Sequence, residues 1–350
     1  LYSVYQHWDK LKTCVVGQSY PPEFYSYITN PRVRNVMERI AIETEEDYQK
    51  LITLLKSFDV KILRPELKDS IEFYKIENKK YSPPPMNPRD DSGMFGNTFY
   101  INNHFDFYTN IIKDIQNTNT VIQGKNINTA SITRIGKDLY FGTPSEKDLY
   151  KFIEPKFAHK EKFLKQKEKI LKQHMVKQTE NFPSYRCHVV KSEGHIDGCF
   201  CPVVPGLIVS LYNVQTYSKS FPKWEVIYLP NQSFNVIESF RKLKNKNNGK
   251  WWIPGEELND DLTDFIESWL NHWVGYVEET VFDVNMLVID KKNVVCNNYN
   301  KTVFDAFDRH GITPHVINFR HRYFWDGGLH CITSDLDRDG VMEDYFPERL

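Results

Sequence analysis

Four short polar motifs could carry chemistry in this chain of 350 residues. The first is Gly327-Gly328-Leu329-His330-Cys331. A thiolate is a strong nucleophile, and glycines just before it allow close backbone approach and unusual dihedrals. A lone cysteine also reads as a small buried apolar residue. The second motif, Glu193-Gly194-His195-Ile196-Asp197, sets an imidazole and a carboxylate two residues apart. In an extended segment such residues face the same side, which suits either acid–base work in a pocket or a plain surface hydrogen bond. The other two are Pro88-Arg89-Asp90-Asp91 and residues 126–131, which contain Asn128 and Ser131. A zinc site on His195, Cys199 and Cys201 is disfavoured, because C-x-C lacks the C-x₂₋₄-C spacing of structural zinc sites. The two cysteines are expected to pack on a strand, and neither metal nor other cofactor is expected.

The elements that must position these motifs follow from hydrophobic periodicity. Strand-like runs fall at 14–16, 60–63, 98–101, 120–122, 139–141, 187–190, 207–211, 224–229, 284–289 and 315–317. Between them lie helical patterns. Residues 44–58 carry Tyr48, Leu51, Ile52, Leu55 and Phe58 at spacings of three and four, with Thr44 the expected N-cap before three acidic residues. Residues 105–115 and 303–310 read similarly. The recurring unit is a strand or hairpin, a helix and a closing strand, found about five times. The polar motifs come just after closing strands. In a ring of such units they would meet near one axis, bringing Asp90, Asn128, His195, Asp197 and Cys331 together.

Residues 1–350 are expected to form one α/β domain with two embellishments. Residues 146–180 are a Lys-rich helical insertion read as a solvated helix face, and 242–250 are a basic surface loop. An acidic amphipathic helix is expected after 251–254. Lys plus Arg is 45 and Asp plus Glu 46, a net charge of -1, so nothing pulls the chain toward nucleic acid or an anionic membrane. No apolar run approaches the ~20 residues of a membrane span. Six irregularly spaced cysteines point to a reducing compartment rather than a disulfide scaffold. The expected location is the cytoplasm, with a removed N-terminal targeting segment as the alternative.

Taken in order, several blocks resemble the glycine (arginine) amidinotransferase family of the pentein superfamily. They are His7-Trp8-Asp9-Lys10-Leu11 with Cys14-Val15-Val16-Gly17, and Asn87-Pro88-Arg89-Asp90 with Gly96-Asn97. Further along come Arg134-Ile135-Gly136-Lys137-Asp138-Leu139, and His195-Ile196-Asp197 with Pro205-Gly206-Leu207-Ile208-Val209-Ser210. Val284-Asn285-Met286-Leu287-Val288-Ile289-Asp290 and Gly327-Gly328-Leu329-His330-Cys331-Ile332-Thr333 complete the set, the last being the most specific. The resemblance implies a pentein-type five-bladed α/β propeller of ββαβ units with pseudo-fivefold symmetry and a central active site. It implies that Cys331 attacks the guanidino carbon of a donor such as arginine, that His195 passes protons to the leaving amine and from the acceptor amine, and that an amidino-cysteine joins the two steps. Asp90 and Asp197 would grip the guanidinium through charge-assisted hydrogen bonds, with Arg89 and Ser131 adding substrate contacts. The partners implied are a small guanidino donor, an amine acceptor and a second copy of the chain in a homodimer.

Two positions depart from the family pattern. Asn128 stands where the family carries a catalytic carboxylate, and Ser131 replaces a second acid. Val214 falls where the family has an arginine for the donor's carboxylate, with Tyr212, Asn213 and Lys219 nearby as weaker substitutes. Besides an amidinotransferase, the sequence therefore admits a hydrolase with water as acceptor and a ligand-binding protein without turnover. Retention of Cys331 and His195 favours an enzyme.

Overall fold

The computed structural model describes every residue except 77–79, 103–104, 125–126, 146–148, 150–159, 193, 212–216, 230–250, 275–282 and 350. Five three-stranded sheets repeat one plan: an antiparallel hairpin, a helical crossover, then a parallel third strand. In the first sheet β1 (Lys10–Val16) lies between β15 (Thr333–Asp339), antiparallel, and β2 (Lys61–Leu63), parallel. The second is β3 (Ser92–Phe95), β4 (Thr98–Ile101) and β5 (Thr120–Gln123). The third is β6 (Ile132–Ile135), β7 (Asp138–Gly142) and β8 (Arg186–Val190). The fourth is β9 (Phe200–Val204), β10 (Leu207–Ser210) and β11 (Glu225–Tyr228). The fifth is β12 (Leu287–Asp290), β13 (Asn293–Cys296) and β14 (Thr313–Val316). This is the five-unit α/β propeller expected from the sequence. Pairing of β15 with β1 ties the end of the chain to its beginning.

The local chemistry explains these elements. Two-residue hairpin turns need positive φ, and Gly96 (φ 59°) and Gly136 (φ 60°) supply it. A Cβ on Gly136 would also come within 2.0 Å of the Glu343 carbonyl oxygen. The first crossover helix, Pro31–Ser57, begins earlier than expected. Asn30 caps it by accepting from the Arg32 N–H, and Pro31 sits where a missing N–H costs nothing. Thr44 is therefore not a cap. It lies buried in mid-helix, and its Oγ1 accepts a 2.8 Å hydrogen bond from the Trp325 indole. Helix Lys301–His310 is capped by Asn300 and ends on Gly311 in the left-handed region. Helix Lys160–Thr179 supplies the crossover of the third sheet, so part of the expected insertion is an element of the repeat. Helix Asp260–Phe265 continues into Ile266–Leu270 after the buried Trp251 and Ile253. The basic run 242–250 lies outside the described residues.

Cores form between neighbouring sheets and their helices. Val15, Leu51, Phe99, Leu287 and Leu336 belong to one buried cluster, and Val203, Ile208, Val288 and Phe307 to another. Burying such a side chain contributes about 1.5–3 kcal/mol. Cys201 on β9 and the neighbouring Cys199 pack in the second cluster. Among the described residues no helix is long and apolar enough to cross a membrane.

The strands nearest Cys331 carry buried charge. Asp335 on β15 is fully buried and accepts from Arg89 Nη1 (2.6 Å), Arg134 Nη2 (2.7 and 2.8 Å) and Arg338 Nε (2.6 Å). Burial alone would raise this carboxyl. The three guanidinium groups instead hold it well below the usual carboxylate range. Arg134 is drawn down to about 10 by burial. One carboxylate thus pins the turn before β3, strand β6 and strand β15 together.

Candidate active site

Cys331 lies on a loop between the one-turn helix Arg322–Trp325 and β15. Both glycines of its motif are required by neighbouring asparagines. A Cβ on Gly327 would lie 2.2 Å from Asn87 Oδ1, and one on Gly328 would lie 2.6 Å from Asn285 Oδ1. The Asn87 amide donates to the carbonyls of Trp325 and Asp326, and the Arg89 N–H donates to the Cys331 carbonyl (3.3 Å). The Asp90 turn and the Cys331 loop are therefore clasped to each other.

Asp90 closes that arrangement from one side. It sits on the one-turn helix Pro88–Asp91, and its Oδ1 is 3.6 Å from His195 Nδ1, with both side chains about one-third exposed. The Thr129 hydroxyl donates to the Arg89 carbonyl (2.6 Å), which ties the Asn128–Ser131 segment to the same turn. Asp197 approaches from the other side. Its segment is a one-turn 3₁₀ helix, Ile196–Gly198, that starts after His195, so the extended spacing expected for His195 and Asp197 does not hold. Asp197 is 5% exposed; its Oδ2 accepts from His330 Nδ1 (2.8 Å) and lies 3.5 Å from Cys331 Sγ. Asp197 Oδ1 is buried with no hydrogen-bond partner among the described residues.

The electrostatics follow from this geometry. Burial raises the Cys331 thiol well above its ordinary value, and the carboxylates of Asp197 and Asp90 add to that; the Asn285 amide and the Gly328 backbone oppose it. Burial alone would also raise Asp197, but the His330 hydrogen bond and nearby positive charge keep it below the usual carboxylate range. His330 is lowered by burial and by Arg89, with Asp197 opposing. A thiol raised by burial beside a lowered Asp197 carboxyl, with the Asp90 side chain on the other side, is a setting that favours a cation. A cavity of about 200 Å³ opens beside Asp90, lined also by Asp91, His272, Trp273, Trp325 and Asp326.

The structure thus brings Cys331, His195, Asp90 and Asp197 together. Ser131 is close by on the 3₁₀ turn Thr129–Ser131, with its hydroxyl buried and without a partner among the described residues. Asn128 precedes that turn with an exposed side chain, and its N–H donates to Gln178 Oε1. Arg89 differs from expectation. It is 3% exposed and committed to Asp335 and to the Thr333 carbonyl (3.1 Å), so it supports the loop from below rather than lining the cavity. Val214, Tyr212 and Asn213 lie outside the described residues, and Lys219 is exposed. Two residues received no role from the sequence. One is His330, which orders Asp197. The other is Asn285, whose amide donates to Cys331 Sγ (3.1 Å). The available signal was a polar residue inside an otherwise apolar block, Val284-Asn285-Met286.

No protein-family model matches the chain. Glycine amidinotransferase, mitochondrial, of Gallus gallus is 27% identical over 172 residues, which is 47% of this chain and 32% of that protein. The matched stretch therefore spans about a third of that relative's length. Among solved structures, inosamine-phosphate amidinotransferase from Streptomyces griseus superposes with a TM-score of 0.64 at 16% identity over 99% of both chains. An amidinotransferase of the saxitoxin biosynthetic pathway from Microseira wollei gives 0.63 at 16% identity, again over 99% of both. The chain has the pentein fold of these amidinotransferases and resembles glycine amidinotransferases in sequence along 47% of its length.

Proposed function

We propose that the chain moves an amidino group from a guanidino donor, such as arginine, to an acceptor amine through a covalent intermediate on Cys331. The observation that carries this reading is the convergence of a buried cysteine, His195 and two carboxylates at the centre of an amidinotransferase-like fold. Asp90 and Asp197 suit a planar cation, and Asp197 Oδ1, which has no partner among the described residues, offers it a buried acceptor. Burial, and after it the neighbouring carboxylates, hold the thiol up; a bound guanidinium offsets the carboxylate part, so deprotonation of Cys331 is coupled to donor binding. Cys331 passes its proton to His195, the thiolate bonds to the guanidino carbon, a carbon–nitrogen bond breaks, and His195 gives that proton to the departing amine. In the second half the acceptor nitrogen attacks the same carbon, His195 takes its proton, and the carbon–sulfur bond breaks to release the thiolate. Dividing the transfer this way replaces one difficult displacement with two easier ones.

Intact mass spectrometry with arginine tests the reading. The expected result is an adduct of one amidino group on Cys331, lost when a panel of amines is added and absent in Cys331→Ala. Ammonia and citrulline released without any amine would mean water is the acceptor. Absence of adduct and of product across arginine and other guanidino compounds would overturn the enzyme reading.

A further inference from the structure

We propose that Asn285 is a catalytic residue whose side-chain amide stabilises the Cys331 sulfur as a thiolate while its carbonyl oxygen fixes the backbone that carries it. The inference rests on Cys331 being the nucleophile. Asn285 is fully buried just before β12, and every polar atom of its side chain faces the nucleophile segment or Asp197. Its Oδ1 accepts from the N–H of His330 (2.8 Å) and of Cys331 (3.3 Å). Its Nδ2 donates to Cys331 Sγ (3.1 Å) and to the Asp197 carbonyl (3.2 Å). The orientation of the amide is set by these partners. Flipping it would point the amide hydrogens at two backbone N–H groups and the oxygen at a carbonyl and a sulfur.

The surroundings explain why a donor matters there. Asp197 Oδ2 stands 3.5 Å from the sulfur, so a thiolate would form against a carboxylate in a buried site. An amide lowers the cost of that anion without carrying charge. A lysine or arginine in its place would pair with the carboxylates and compete with a cationic donor. Gly328 is the complementary adaptation, since any Cβ there would strike Asn285. Asn297 supports the arrangement from behind. Its amide donates to the Asn285 carbonyl (2.8 Å), and its Oδ1 accepts from the Leu329 N–H (3.2 Å).

The decisive variant is Asn285→Ala, which removes the donor without adding charge; Asn285→Asp keeps the oxygen that holds residues 330 and 331 but adds a carboxylate that raises the thiol by its charge as well. The measurement is the pH profile of iodoacetamide alkylation at Cys331, followed by peptide mapping, with thermal melting alongside. The Cys331 profile is expected to move up by about one to two pH units. Turnover should fall roughly tenfold to a hundredfold in kcat with little change in donor KM. Asn285→Asp should move the profile further in the same direction, and Asn285→Ser, which also adds no charge, decides the matter if the Ala variant does not fold. An unchanged alkylation profile in a folded variant would overturn the proposal, since a purely structural asparagine would alter melting alone. Alkylation needs no substrate. A shifted profile in a protein without transfer activity would therefore leave Asn285 in this role and defeat only the proposed reaction.

Discussion

Replacing Asp197 by Asn should have two effects of opposite sign on the same cysteine. The carboxylate lies 3.5 Å from Cys331 Sγ, and both residues are buried. Two unit charges at that distance repel by roughly 4–5 kcal/mol at an effective dielectric of about 20. The carboxylate charge is shared between two oxygens, and the nearer one is engaged by His330. About half of the repulsion, roughly 2 kcal/mol, is a reasonable share for the thiolate, equivalent to between one and two pKa units. Asp197→Asn should therefore make Cys331 react with iodoacetamide at lower pH in the free enzyme. The same change removes a charge-assisted contact to the donor, which costs about 1.5–3 kcal/mol and weakens donor binding roughly tenfold to a hundredfold. Guanidinium ion should speed alkylation of the wild-type cysteine, because it offsets the carboxylates, and should do little in the variant. The assay is peptide-mapped alkylation across pH, with and without guanidinium, beside donor KM. A profile that stays in place or moves upward in Asp197→Asn would refute the account of the thiol.

Three further outcomes follow from the same coordinates. Asp335→Asn should lower stability by about 3–5 kcal/mol in chemical denaturation, since it leaves three buried guanidinium groups without their shared anion. The folded carboxyl lies well below its unfolded value, so its contribution is complete above about pH 4 and is lost as pH falls toward the folded value; the variant's acid transition should lack that component. Asp9, pushed up to about 6 chiefly by burial, has the opposite sign: between about pH 4 and 6 the folded state holds the extra proton, so its contribution grows as pH falls, and Asp9→Asn should remove that slope. Asn128→Asp should raise kcat/KM for arginine about tenfold or more if the missing carboxylate limits donor use, and an unchanged value would discard that explanation.

The periodic units were legible in the sequence because the middle and third strands are apolar runs. Thr98–Ile101 coincides with its expectation, and Leu207–Ser210 and Glu225–Tyr228 differ only at their ends. The strands that escaped notice were β3, β6, β9 and β15, each the first of its sheet's hairpin, together with β13. Two of them are polar while buried: Thr333-Ser334-Asp335-Leu336-Asp337-Arg338 is buried throughout, and Arg134 lies inside β6. Hydrophobic patterning cannot find strands whose partners are ions and backbone carbonyls. The same limit explains Arg89, which looked available for substrate but is held by Asp335. Of the five residues expected to meet because they follow closing strands, Asp90, His195, Asp197 and Cys331 do lie near one another, while the Asn128 side chain is exposed. Asn285 belongs to no such polar motif, and only the folded contact with Sγ reveals it.

Pairing of β15 with β1 has a consequence for the site. Cys331 precedes β15 by a single residue, Ile332, and Asp335 on that strand collects arginines from two other parts of the ring. The place of the sulfur is therefore set by a strand and by guanidinium groups far away in sequence, so a change that loosens β15 from β1 would displace Cys331 without altering any residue that touches it.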